Sequence, residues 1–242
     1  MNIPTIQGII DRRILINYRV DPEVMSTFLP APFRPKLVAG EAIAGICLIR
    51  LKAIRPKGLP AGIGISSENG AHRIAVEWTA DGQAHEGVYI PRRDTSSILN
   101  SMAGGSIFPG VHHHAAFEVQ EGDGQYAVSF KSSDGVEVSI EAQETGEWNP
   151  RSVFENLECA SCFFEQGPLG YSPNERQAQF DGLELHTYHW DTSPLKVSRV
   201  RSSFFEDRSV FPEGSVTFDN ALLMRDIDHE WKARKAIRTP IF

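Results

Sequence analysis

Alternation between apolar and polar residues runs through most of the chain. Ile14, Ile16 and Tyr18 alternate with Leu15, Asn17 and Arg19 and predict a strand running into Val20. A short helix is expected next. Asp21 can cap it, Pro22 suits its first position and Glu23 complements its dipole, while Val24, Met25, Phe28 and Leu29 give it an apolar face before Pro30 and Pro32 stop it. From Leu37 to Leu51 the pattern reads strand, turn at Ala39-Gly40, strand, followed by a loop from Arg55 through the glycines at 62 and 64. Three hairpins follow. Ile74 to Thr79 turns at Asp81-Gly82 into Gly87 to Ile90, and His114 to Val119 turns near Gly122-Asp123-Gly124 into Tyr126 to Phe130. That last strand turns at Asp134-Gly135 into Val136 to Ala142. Asp-Gly between alternating runs is a strong hairpin signal, because the tight turn needs positive φ at its centre.

A longer helix is expected over Arg151 to Glu165, its periodicity set by Val153, Phe154, Leu157, Ala160 and Phe164, with Gly167 beyond its end. Leu183 to His189 and Pro194 to Phe205 read as further strands. The tail from Ala221 to Ala236 reads as a closing amphipathic helix through Leu223, Ile227 and Trp231. The predicted class is α+β, a large antiparallel sheet or incomplete barrel with two or three packed helices.

Composition narrows the function classes. The 242 residues contain no stretch of linker composition, so a single domain over residues 1–242 is expected. A net charge of −7 and a pI near 5.6 argue against nucleic acid, whose phosphates require clustered positive charge. No window nears the ~18 apolar residues of a membrane span, and no basic leader opens the sequence, so a cytoplasmic protein without a membrane partner is expected. Three cysteines fit a reducing compartment, and Cys159-x-x-Cys162, without a second ligand pair, reads as core packing.

The order of motifs resembles the acetoacetate decarboxylase-like superfamily, and more closely its YqjF-like branch. Arg12-Arg13-Ile14-Leu15-Ile16-Asn17-Tyr18 followed by Asp21-Pro22-Glu23 and Leu29-Pro30 is similar to the family's first strand and helix. Gly87-Val88-Tyr89-Ile90, Phe108-Pro109, the helix from Val153, and His189-Trp190 with Pro194-Leu195 follow in the family's order. The resemblance implies a cone-like sheet around a cavity. In the family's decarboxylases the segment matching Phe108-Pro109 continues with two lysines, the first forming a Schiff base with the substrate ketone; the second ammonium and a desolvated pocket lower its pKa. Here those positions are Gly110 and Val111, and no lysine lies between Lys57 and Lys131. Schiff-base chemistry by the family route is therefore not expected.

Three readings of the pocket remain open. In the first, a small, anionic organic ligand is held through Arg12, Tyr89, Arg92, Arg93, His112 and His114, without a lysine nucleophile; the family's pocket arginine aligns with either Arg12 or Arg13. In the second, His112, His114 and Glu118 share strand parity and form a cupin-like set for a divalent metal, although no cofactor is required by the first reading. In the third, side chains fill the pocket and the protein serves an interaction role, as a homo-oligomer or with another protein. Glu77 and Glu86 read as an exposed sheet face, and Arg225, Asp226, Asp228, His229 and Glu230 as the solvated side of the last helix.

Overall fold

The computed structural model describes residues 4–97, 110–174 and 179–238. Phe108 and Pro109 of the family-like segment lie outside the described residues. The elements run in the order β1 (Ile6–Val20), α1 (Pro22–Phe28), β2 (Arg34–Pro35), β3 (Leu37–Val38), β4 (Glu41–Pro56), β5 (Ile65–Ala80), β6 (Gln83–Thr95), β7 (His112–Gly122), β8 (Gln125–Ser132) and β9 (Glu137–Glu144). Then come α2 (Leu157–Glu165), β10 (Leu169–Pro173), β11 (Gln179–Thr187), β12 (Ser193–Ser202) and β13 (Val216–Arg238). No described helix is long and apolar enough to cross a membrane.

All the described strands belong to one sheet, which confirms the strand-rich α+β class. The sheet is mixed, since β6 runs parallel to both β7 and β10. It curls back on itself without forming a regular closed barrel: β5 pairs with β6 and β11 with β13 in addition to their other neighbours. The predicted hairpin turns stand where expected, with Asp81 at φ 51° followed by Gly82 at 74°, and Asp123 at 50° followed by Gly124 at 72°. Asp21 caps α1 through a 2.8 Å bond accepted from the Glu23 amide.

Three expectations are corrected. The tail is the 23-residue strand β13, not a helix. It pairs with β1 from Ile6↔Trp231 to Val20↔Val216, and both its faces are buried along Asp219–Met224. Asp226 at φ 52° kinks it, so Leu222, Met224 and Ile227 fall on one core, a spacing that mimics helical periodicity. His229 and Glu230 are consequently buried rather than solvated. The second helix begins at Leu157, not Arg151, because Asp219 accepts hydrogen bonds from the Val153 amide (2.9 Å) and the Ser152 hydroxyl (2.6 Å) and holds that stretch in turns. Cys159 and Cys162 are exposed, as α2 turns Ala160 and Phe164 toward the sheet instead.

The five consecutive strands β13, β1, β4, β5 and β6 carry an apolar core on each face, which explains their long, nearly uninterrupted apolar runs. Ile14, Ile16, Leu48, Ile74 and Leu223 belong to one core, closed by β7–β9 strands through Val128 and Ile140 and by Met25 of α1. Leu15, Cys47, Ala71, Leu183 and Leu222 belong to the other, roofed by Phe154 and by Phe164 of α2. The second core surrounds the polar groups described next.

Candidate functional site

Strand register assembles the site. Leu15 pairs with Cys47, Cys47 with Ala71, Ala71 with Arg93 and Arg93 with His112, so these five residues form one rung across β1, β4, β5, β6 and β7. Residues two apart on a strand share a face. Arg13 on β1 and Arg73 on β5 therefore flank this rung on the same side of the sheet as Cys47.

Each arginine is held by weak or neutral partners. Arg13 Nη2 lies 3.7 Å from Cys47 Sγ and Nη1 4.0 Å from Met224 Sδ, and its guanidinium sits 5.7 Å from the Trp190 ring centre. Arg73 stacks 4.7 Å over the Phe164 ring and donates to Asn17 Oδ1 and Cys47. Arg93 Nε donates to Ser172 Oγ at 3.2 Å. Among the described residues none of the three forms an ion pair, and the buried Nε atoms of Arg13 and Arg73 have no hydrogen-bond partner. Burial of unpaired cations is costly, and burial lowers the pKa of Arg73 and takes Arg93 down to about 10. Arg93 stays protonated at neutral pH.

Asn17 passes Arg73's orientation on to a buried carboxylate. Its Nδ2 donates to Asn220 Oδ1 at 2.7 Å, and Asn220 Nδ2 donates to Asp219 Oδ2 at 2.6 Å. The guanidinium reaches Asn17 across Gly45, which pairs with both Asn17 and Arg73. A Cβ at Gly45 would lie 2.3 Å from the Ile16 carbonyl oxygen and 3.2 Å from Arg73 Nη2. Gly45→Ala is expected to destabilise the protein by about 1–3 kcal/mol, the usual range for overpacking, as read from urea unfolding midpoints. An unchanged midpoint would show that the strands part at little cost there.

Burial pushes the Cys47 thiol up, but the neighbouring Arg73 and Arg13 guanidiniums outweigh it, and its pKa lies below the ordinary value. Burial and the adjacent Arg93 bring His112 down to about 4, so its ring is neutral at pH 7; its Nδ1 lies 3.1 Å from the Gly110 carbonyl oxygen. Two small cavities lie against the strand neighbours of Cys47, which itself lines neither. One of about 30 Å³ is lined by Arg13, Leu15, Arg73, Phe164 and the Lys36–Glu86 ion pair, and one of about 60 Å³ by Ala71, Arg93, Asp94, His112, Leu183 and Trp231. At roughly 10–15 Å³ of such space per water, the first holds about two or three waters and the second about four to six. The larger depressions, of 320–510 Å³, open on other parts of the surface.

The residues singled out from sequence divide. Arg93 and His112 line the same cavity. Arg12 faces the opposite way, fully buried in ion pairs with Glu68 (2.6 Å) and Glu121 (3.0 Å). Arg92 is likewise committed, to Asp94 at 2.7 Å and Asp134 at 2.6 Å. Tyr89 packs in the first core, 5.4 Å from Phe33 and 5.8 Å from Phe180, where burial raises its hydroxyl to about 12. His114 and Glu118 are exposed on β7. Parity alone misled the metal reading: four residues of strand separate His114 from Glu118 by roughly 13 Å. Among the described residues no group of three His, Cys, Asp or Glu is placed to hold a metal ion. Sequence reasoning passed over Arg73 and Cys47, and left Arg13 undecided against Arg12. Both faces of these strands are apolar, so alternation carried no label for which face held the site.

Known proteins share this fold. An acetoacetate decarboxylase from Legionella pneumophila subsp. pneumophila str. Philadelphia 1 superposes with a TM-score of 0.58 at 12% identity, over 96% of this chain and 87% of that one. An acetoacetate decarboxylase-like enzyme from Sphingomonas wittichii RW1 gives 0.60 at 11%, over 100% and 95%. The enduracididine biosynthesis enzyme MppR complexed with pyruvate gives 0.55 at 12%, over 97% and 89%. At such identities the likeness establishes the acetoacetate decarboxylase-like fold. No curated protein matches the chain. Residues 10–212 match the DUF2071 family model, described as an uncharacterized conserved protein, and the chain belongs to that family.

Proposed function

We propose that this protein binds a small organic carboxylate in the second core, against Arg13, Arg73 and Arg93, without Schiff-base chemistry. The observation that carries the reading is three arginines gathered around Cys47 with no carboxylate partner among the described residues. Buried cations are normally paired, and an incoming anion supplies the missing charge. Similar folds act on or bind small carboxylates, as the acetoacetate decarboxylases and the pyruvate complex of MppR indicate. The larger of the two cavities admits a ligand of about four to six heavy atoms.

Gly110, which aligns with the family's nucleophilic lysine, has φ 92°, and a Cβ there would lie 2.7 Å from Ser172 Cβ. Backbone and space both favour glycine at this position. The same Ser172 hydroxyl orients Arg93. This supports an arginine-lined pocket in which the lysine's role has not been kept.

Titration calorimetry with pyruvate tests the reading. At about −1 kcal/mol per heavy atom, a six-atom ligand binds with a Kd of tens of micromolar. Arg73→Met is expected to weaken binding at least about tenfold while leaving stability unchanged or raised, since it removes an unpaired buried charge. Failure of acetate, pyruvate and acetoacetate alike to bind the wild-type protein would remove the reading. Borohydride reduction in the presence of acetoacetate is expected to leave every lysine unmodified, and an adduct on any lysine would overturn the non-Schiff-base part.

A further inference from the structure

We propose that Cys47 is a nucleophilic site that bonds covalently to small carboxylates carrying an electrophilic carbon beside the carboxyl group, a proposal that rests on the anion-binding reading above. Cys47 occupies the middle of the rung between the two cavities: its β1 neighbour Leu15 lines one and its β5 neighbour Ala71 lines the other. Its sulfur is 3.7 Å from Arg13 Nη2 and is hydrogen-bonded by Arg73. Arg73 is only 6% exposed and lines the smaller cavity, and its Nε has no partner among the described residues. A buried donor of this kind is an independent sign of an absent ligand. A carboxylate that pairs with Arg73 in that cavity would lie one guanidinium away from the sulfur, which Arg73 itself hydrogen-bonds.

The two flanking cations favour thiolate over thiol, the nucleophilic form. With a 2-halo acid, the sulfur lone pair forms the S–C bond while the carbon–halogen bond breaks, and halide leaves with the bonding pair. With a 2-oxo acid, the S–C bond forms as the carbonyl π pair moves to oxygen. The oxyanion so formed takes up a proton equivalent to the one released when the thiol ionised, and the product is a hemithioketal with no further reactant consumed. Arg13 and Arg73 can stabilise the developing oxyanion as they do the carboxylate. The other two cysteines, Cys159 and Cys162, are exposed on α2 and serve as internal references.

Iodoacetate and iodoacetamide differ in charge at nearly constant size, and the test compares them on the full-length protein at pH 7, with each cysteine followed by peptide mass spectrometry. Cys47 is expected to react about tenfold faster with iodoacetate than with iodoacetamide, because a positive pocket concentrates anions. Cys159 and Cys162 are expected to show no such preference, and excess pyruvate is expected to protect Cys47 alone. Cys47→Ser is expected to lose the adduct. Cys47 left unmodified after Cys159 and Cys162 are consumed, or modified faster by the neutral reagent, would overturn the proposal. If pyruvate still binds by calorimetry in that case, the covalent step falls and the anion site stands; if no carboxylate binds, both fall.

Discussion

Arg12→Ala is expected to destabilise the protein by about 3–5 kcal/mol, the cost of breaking a buried ion pair from one side. The Arg12 side chain is fully buried and contacts Glu68 and Glu121, and Arg50 reaches the same two carboxylates, with Nε 2.5 Å from Glu68. Asp11 extends the group, 3.5 Å from Arg50 and 2.5 Å from Lys52. Arg12 thus ties β1 to β5 and β7, whereas Arg50 is partly solvated and cannot fill the space that Arg12 leaves. Adjacent Arg13 gives the opposite expectation. It has no carboxylate partner among the described residues, so Arg13→Met should cost little stability and reduce carboxylate binding. Denaturant unfolding and calorimetry on the two variants separate these roles. Loss of binding without loss of stability in Arg12→Ala would reverse the assignment of the two neighbours and put the pocket on the other face of β1.

That pair also shows how far the sequence could be read. Turns were legible because Asp81-Gly82 and Asp123-Gly124 demand positive φ locally, and α1 was legible because Asp21 and Pro22 act on their own helix end. Alternation established that β1 is a strand. It could not assign Arg12 and Arg13 to faces, since Ile14 and Leu15 are both fully buried, in different cores. The same two-sided burial, with the kink at Asp226, gave β13 a helical look. Family resemblance pointed to the correct fold. Arg73 and Cys47 were missed because they become neighbours of Arg13 only through the β1–β4–β5 register, and the site depends on that pairing rather than on any short motif. Arg93 was found as a charged residue late in a strand. Its partner Ser172, 79 positions away, was beyond local reading.

Acid is expected to unfold this protein in a window set by its buried histidines. His72 is fully buried against Phe204, at 4.5 Å between ring centres, and burial together with Arg92 lowers its pKa to about 3. His112 and His229 are each brought to about 4, chiefly by burial. In the unfolded chain these rings titrate near 6.5, so between pH 6.5 and 4 the unfolded state binds more protons and stability falls as pH falls. Each ring contributes about 1.4 kcal/mol per pH unit well inside that window, and the three together rival an ordinary domain stability of about 5–15 kcal/mol by pH 4.5. Asp94, raised by burial, works in the opposite sense, while Asp11, Glu121 and Asp134 are lowered, so their stabilisation is lost only at still lower pH. Urea midpoints should hold near pH 7 and drop steeply from pH 6 to 4.5. His72→Phe, which keeps an aromatic ring beside Phe204, should reduce that slope by about one third whatever its effect at pH 7. A midpoint that stays flat down to pH 5 would mean that the histidines reach water in the folded protein, and the polar interior would then be open to solvent rather than dry.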